Sequence, residues 1–122
     1  MKESLYLKLE KLTGRQEELE GLLSDPDIIN NQNKFRELSQ EYSEIKPIVV
    51  CFNNYLDINK NIENSREVLK ENDKELQELA IEELKKAEIE SKQLENKLQV
   101  LLLPKDPNDS NNIFLEQFVN TP

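Results

Sequence analysis

Residues 74–102, KELQELAIEELKKAEIESKQLENKLQVLL, decide the fold class of this chain. Leucine and alanine side chains recur there at close to heptad spacing, which is the pattern of an amphipathic helix that packs against another helix. The positions concerned are Leu76, Leu79, Ala80, Leu84, Ala87, Leu94, Leu98 and Leu101. The spacing predicts one helix over about 74–102, roughly 40 Å long at about 1.5 Å per residue.

Two further helices are predicted upstream. The first covers about 2–23, with an apolar seam in which Gln16 fills one place, and the second covers about 31–70. Ser24-Asp25-Pro26 ends the first helix, since the residue before a proline avoids helical geometry and Pro26 suits a first helical turn. The seam residues are Leu5, Leu9, Leu12, Leu19 and Leu23 in the first helix, and Phe35, Leu38, Tyr42, Ile45, Val49, Phe52, Leu56, Ile62 and Leu69 in the second.

Three helix-breaking residues lie inside these helices. Gly14 and Gly21 each weaken the first helix by about 1 kcal/mol relative to alanine, so packing must offset that cost. Pro47 removes one backbone donor from the second helix. Because the apolar phase continues across Pro47, we expect a bend there and not a break.

Residues 71–73 form the predicted turn between the second and third helices, with Asn72 or Asp73 as the cap. A short turn between two long helices gives an antiparallel hairpin with facing seams. The predicted fold class is therefore all-α: an elongated antiparallel helical hairpin, or coiled-coil-like bundle, of three main helices. Three oppositely charged pairs are spaced to support its exposed faces: Glu71–Lys74, Glu82–Lys86 and Glu88–Lys92.

The composition changes after Leu103, which predicts the end of the helical domain, 1–103. Residues 104–112 form a polar connector that contains Pro104 and Pro107. Residues 113–122 are predicted to begin a strand. A lone strand needs a sheet partner, so we expect it to belong to a second domain that this chain does not contain.

The net charge of −9 argues against two classes of partner. No run of basic residues is present, so direct binding to nucleic acid is not expected, and an anionic membrane is disfavoured for the same reason. The sequence shows no signal peptide and no membrane span. The predicted location is the cytoplasm.

The residues of the chain do not predict an enzyme. Cys51 is the single cysteine and the chain contains no histidine, so neither a disulfide nor a Cys–His nucleophile can form. Cys51 lies in the apolar stretch 48–52, which favours a buried, structural role. No catalytic, cofactor-binding or metal-binding residue is predicted, and the Asp106–Asp109 stretch lacks the ligand spacing of a calcium loop.

The region around the proline-containing loop resembles the end of the first domain of bacterial peptide chain release factor 1, a class I release factor. The family pattern L-L-P-K-D-P-x-D followed by F-L-E corresponds here to Leu102–Asp109 and Phe114–Glu116. Residues 34–45 (KFRELSQEYSEI), Cys51-Phe52 and KLEKLTGRQEELEGLLSDP also resemble that family. The resemblance covers residues 1–116. Release factor 2 shares the loop, whereas the upstream residues are more similar to factor 1.

The resemblance implies a role in translation termination. The first domain of the family is a helical module that contacts the ribosome at the stalk base of the large subunit, and the acidic surface favours a contact with basic ribosomal protein. The full-length factor directs termination at UAA and UAG codons. After Glu116 the chain departs from the family. The family's P-x-T codon-reading tripeptide and its Gly-Gly-Gln catalytic tripeptide have no counterpart in this sequence. We therefore expect a truncated, inactive chain.

Several alternatives remain open from the sequence. A frameshift, a designed domain boundary and a divergent natural tail each explain the departure after Glu116. The chain is alternatively an autonomous coiled-coil interaction module derived from a release factor. Self-association is predicted through the exposed apolar seam and the C-terminal segment, because an unpaired strand edge recruits another strand.

Overall fold

The computed structural model describes residues 1–103, and within this range the chain forms four α-helices and no strand. The all-α prediction is confirmed, and the three long helices begin and end within two residues of their predicted bounds. The predicted connector and strand, 104–122, lie outside the described residues. The helices are α1 (Glu3–Leu23), α2 (Pro26–Ile29), α3 (Gln32–Val68) and α4 (Lys74–Leu101).

The short helix α2 is an addition to the predicted architecture. Pro26 occupies its first turn, where a missing backbone N–H costs nothing, and the Asp25 side chain accepts a 2.9 Å hydrogen bond from the Asp27 N–H. Helix α3 then begins after Asn31, whose side chain accepts from the Lys34 N–H at 3.2 Å. The link between α1 and α3 is therefore an ordered corner built from two capping side chains.

Helix α3 continues without interruption through Pro47, as the uninterrupted apolar phase predicts. Proline cannot donate to the carbonyl of Ser43, four residues earlier. Both Ser43 and Pro47 are exposed, so water can reach that carbonyl. The proline is tolerated because it lies on the solvent face of a helix whose opposite face is packed.

The contacts between α3 and α4 establish that they run antiparallel. The Cys51 Sγ lies 3.9 Å from the Leu94 carbonyl, the Ser91 hydroxyl donates to Asn59 Oδ1 at 2.9 Å, and Arg66 lies 3.5 Å from Glu88. Residue numbers rise along α3 as those of their partners fall along α4. At about 1.5 Å per residue, α3 is roughly 55 Å long, which makes the hairpin elongated.

The first hydrophobic cluster lies where the start of α1, the middle of α3 and the end of α4 meet. Leu98 is fully buried in it, and the Tyr6 and Phe52 rings contact edge to face with centroids 5.4 Å apart. This cluster joins all three long helices at one level of the hairpin. Its buried members are Leu9, Cys51, Phe52, Tyr55 and Leu98.

A second cluster, of Leu19, Ile45 and Val49, fixes the end of α1 against the first half of α3. An ion pair lies at the same interface. Arg15 donates from Nε and Nη2 to the two carboxylate oxygens of Glu41, at 2.7 and 2.8 Å. The bidentate geometry holds the register between α1 and α3.

The structure corrects three seam positions. Phe35, Leu76 and Leu79 were predicted to face the seam and are exposed, whereas Tyr55 is buried although the seam pattern omitted it. At the α4 end of the hairpin, Ala80 and Ala87 occupy the buried line. Leu79 lies about a quarter turn away from that line, whereas Leu76 shares the face of Ala80 but lies in the first turn of α4, outside both hydrophobic clusters.

The predicted charge pairs are also corrected. Among residues 1–103 none of Glu71–Lys74, Glu82–Lys86 and Glu88–Lys92 forms an ion pair. Glu88 pairs across the hairpin with Arg66. Exposed pairs three or four residues apart gain only a few tenths of a kcal/mol, so spacing alone does not determine which of them form; Arg15–Glu18 and Glu67–Lys70 do pair.

None of the helices in residues 1–103 combines the length and the apolar character that crossing a membrane would require.

Candidate docking surface at the tip of the hairpin

Cys51 lies in the core and not at an accessible site. Its thiol is buried in the first cluster, and burial raises the pKa of that thiol while Lys97 opposes the shift. A high pKa leaves little thiolate at neutral pH. The predicted burial of Cys51 is confirmed. In the part of the chain that the structure describes, no group of histidine, cysteine, aspartate and glutamate is arranged to hold a metal ion.

The distal end of the hairpin is closed by a turn with several specific hydrogen bonds. The Asp73 carboxylate accepts from the backbone N–H groups of Glu75 at 3.0 Å and Leu76 at 3.3 Å, so Asp73 is the cap of α4. The Gln77 side-chain amide donates to the carbonyls of Leu69 and Glu71, at 3.4 Å for Leu69. The first turn of α4 is thereby held against the end of α3.

Next to this turn, an apolar surface lies open to solvent. Val68, Leu76 and Leu79 line a groove of about 230 Å³ between the end of α3 and the start of α4. Leu79 is 63% exposed and Leu76 42% exposed, although both are large aliphatic residues. We call these three residues the tip patch. The polar or small residues that complete the groove are Asn64, Ser65, Ala80 and Glu83.

Glutamates of α4 border the tip patch. Glu75, Glu78 and Glu82 line a second hollow around the outer side of Leu79, and Glu83 borders the groove itself. All four carboxylates are exposed, and none of them takes part in an ion pair within residues 1–103. We call these four residues the acidic rim. An exposed aliphatic surface with a rim of one charge sign is the pattern of a protein-binding surface.

A comparison with known families identifies the chain. The model of the PCRF domain matches residues 12–117, which is most of the sequence. The chain belongs to the PCRF domain family. The predicted likeness to a peptide chain release factor is confirmed, and with it a release-factor role in translation termination, which entails association with the ribosome. The choice between factor 1 and factor 2 stays a prediction.

The match of the PCRF domain includes both sides of the tip patch, since it extends over α3 and α4. Sequence reasoning assigned Leu76 and Leu79 to an apolar seam that was expected to self-associate, and it did not single out these two residues as a docking surface. The sequence does contain a signal that these two leucines lie at the edge of the apolar stripe. Glu75, Glu78 and Glu82 bracket the two leucines, and a charge-rich flank indicates that a leucine is near the edge of an amphipathic stripe and not at its centre.

A wider groove further along this PCRF domain differs in charge from the groove at the tip patch. It encloses about 450 Å³ between α3 and α4, and its walls carry both signs. Arg66 and Glu88 face each other across it at 3.5 Å, and Lys92 and Glu95 lie further along the same wall. Opposite charges on adjacent walls largely neutralise one another. Unlike the tip patch, this groove has no single electrostatic preference.

Proposed function

We propose that this PCRF domain docks a release factor on the large ribosomal subunit at the stalk base, through a contact between the tip patch and a ribosomal protein. The single observation that carries the proposal is the pair of exposed leucines, Leu76 and Leu79, beside glutamates that form no ion pair within residues 1–103, at one end of a long hairpin. Exposed aliphatic surface on a monomer favours burial against a partner. The cap and the Gln77 hydrogen bonds pre-organise that surface, which lowers the ordering cost of binding.

Electrostatics favours protein over RNA as the contact. The chain carries a net charge of −9, and the acidic rim concentrates four carboxylates at the tip patch. Phosphates would be repelled there, because nucleic-acid binding depends on lysine and arginine that neutralise the backbone. Lysine and arginine of a basic ribosomal protein would be attracted to the same rim, which steers association. Docking on the ribosome would place the protein in the cytoplasm.

Paired substitutions test the docking site. Leu76→Ala/Leu79→Ala removes the aliphatic surface of the tip patch, and Ile81→Ala/Ile89→Ala is its matched control. The control isoleucines lie on the same helix outside the groove and are exposed to the same degree, 44% and 62% against 42% and 63%. Any general effect of truncating exposed aliphatic residues on α4 is therefore similar in both variants.

The magnitude of the effect follows from the area that docking would cover. Full burial of a leucine is worth about 1.5–3 kcal/mol. Covering the exposed half or so of two leucines is therefore worth about 1.5–3 kcal/mol, or a factor of about 10 to 100 in affinity. Co-sedimentation with ribosomes should show this loss for the tip variant and less than about threefold loss for the control. Equal binding by both variants would contradict the proposal.

We propose that the chain is not an enzyme by itself. Its 122 residues contain neither a Gly-Gly-Gln nor a P-x-T tripeptide, although the full factor of factor 1 type would act at UAA and UAG codons. Purified chain added to ribosomes programmed with a stop codon should release no formylmethionine. Stop-dependent release above the rate without factor would refute this.

We also propose weak self-association through exposed apolar residues of α4. Ile89 and Val100 are more than half exposed, and so is Leu103 just after the helix. The C-terminal segment that was predicted to take part lies outside the described residues. Sedimentation equilibrium should give an apparent mass that rises with protein concentration. A constant monomer mass up to tens of micromolar would count against self-association.

A further inference from the structure

The dimensions of the tip groove limit what can occupy it. Its volume of about 230 Å³ is below the range of about 300–1,000 Å³ in which small-molecule sites fall. Val68, Leu76 and Leu79 supply aliphatic walls and no buried polar group. The polar side chains that complete the groove, Asn64, Ser65 and Glu83, lie at its solvent-accessible border, so a cofactor would not be enclosed there. One or two aliphatic side chains from another polypeptide suit the space and the lining.

The acidic rim limits the charge of the occupant. Glu75, Glu78 and Glu82 lie on the outer side of Leu79, and Glu83 lies beside the groove. A wholly apolar occupant would remove water from these carboxylates without replacing its hydrogen bonds. A second copy of this acidic chain would bring like charges together. A segment with lysine or arginine next to its aliphatic residues gives each carboxylate a partner.

We infer that the tip patch and the acidic rim together receive a basic amphipathic helix of a protein partner, with aliphatic side chains in the groove and lysine or arginine on the rim. A helix is the element that presents aliphatic residues at one stripe and cations on both sides of it. Helix α4 is continuous through the surface, so it offers a straight edge along which a second helix can lie. The inference rests on the proposed function, because it specifies the partner class of the proposed docking site.

Peptide binding to the 122-residue chain tests this inference. The probe is a synthetic peptide of about 14 residues, four turns of helix, with leucine at i, i+3, i+4 and i+7 and lysine elsewhere. The control peptide has the same composition in scrambled order and therefore the same charge. Fluorescence anisotropy gives the two affinities, and ¹H–¹⁵N spectra locate the peptide on the chain.

We expect the patterned peptide to bind about tenfold tighter than the scrambled one, with shifts concentrated at Val68, Leu76 and Leu79. Leu76→Ala/Leu79→Ala should abolish that preference, whereas Ile81→Ala/Ile89→Ala should retain it. Glu78→Gln/Glu82→Gln should weaken binding and reduce its dependence on salt. Equal affinity of the two peptides, or shifts located elsewhere on the chain, would overturn the inference.

Ribosome binding by the same variants separates this inference from the proposed function. Suppose that Leu76→Ala/Leu79→Ala loses ribosome binding while the two peptides bind equally. The docking proposal then stands and the basic helix is rejected. Suppose instead that the patterned peptide binds selectively at the tip patch while ribosome binding is unchanged by the variant. The partner chemistry is then supported and the docking site is wrong.

Discussion

The two glycines of α1 provide a sharp test of how this helix is packed. Gly14 and Gly21 both lie inside α1, and a Cβ placed on either one meets no atom within 4 Å other than its chain neighbours and the backbone of its own helix. The surrounding structure therefore has no need of a glycine at either position. Alanine would restrict the unfolded chain without a steric clash in the folded one, which stabilises the folded state.

The expected gain differs between the two sites. Gly14 lies at mid-helix, so Gly14→Ala should raise the free energy of unfolding by about 0.8–1 kcal/mol. Gly21 lies in the last turn, two residues before the helix ends at Leu23, where fraying reduces the benefit to about half. The sites are about 10 Å apart along the axis, so their effects should add. The double variant should gain about 1.2–1.5 kcal/mol, or roughly 5–10 °C in Tm.

Urea unfolding followed by far-ultraviolet circular dichroism measures these changes. The midpoint should rise while the m-value stays constant, because the surface exposed on unfolding is unchanged. Lys11→Ala is the control, since Lys11 is exposed in the same helix and makes no ion pair within residues 1–103. It should change the stability by less than about 0.5 kcal/mol. A Gly14→Ala protein that is no more stable than wild type would refute the reasoning and would indicate close packing against that glycine.

Three further predictions concern the cap, the ion pair and the thiol. Asp73→Ala should lower the free energy of unfolding by about 1 kcal/mol, because two backbone N–H groups lose their acceptor. The control Asn72→Ala, at the neighbouring residue, should lower it by less than about 0.5 kcal/mol in the same urea assay. The hydrogen bond from Arg15 holds the pKa of Glu41 below its ordinary value of 4.5. The pair therefore stabilises the fold above that pH, and this stabilisation is lost as the pH falls through the lower pKa of the folded state. The stability difference between wild type and Glu41→Gln should accordingly shrink below pH 4.5, and a difference that is constant with pH would contradict this pairing. Burial and a raised pKa should make the Cys51 thiol unreactive toward a disulfide reagent in the native protein. Labelling should accelerate in urea. Rapid stoichiometric labelling without urea would show that the thiol is accessible.

The tip patch depends on the same local features as its neighbouring cap. Asp73 and Gln77 hold the first turn of α4, and Leu76 lies between them in the sequence. A variant that frays this turn would displace the leucines without altering their chemistry. Binding measurements on Asp73→Ala would therefore report on pre-organisation, in contrast to the alanine variants of Leu76 and Leu79, which remove the apolar area itself.

Much of this fold followed from local patterns in the sequence. Heptad spacing predicted the three long helices, Ser24-Asp25-Pro26 predicted the corner after α1, and the continuing apolar phase predicted that α3 passes through Pro47. Each of these is set by interactions over one or two helical turns, so a short window of sequence contains the relevant information. The charge and the lone Cys51 similarly predicted an acidic surface and a buried, structural thiol.

Only the tertiary structure determined which residues in the apolar stripe of each helix are buried. The same spacing places Leu76, Leu79 and Leu98 on one helix, yet Leu98 is fully buried and Leu79 is 63% exposed. Leu98 lies where α1 and α3 both reach α4, and Leu79 lies near the end of the hairpin, outside both hydrophobic clusters. Burial depends on distances between residues far apart in the chain, and a helical period fixes only direction around one axis. For that reason the sequence determined the helices, and the packing of one helix against another determined the surface available for docking.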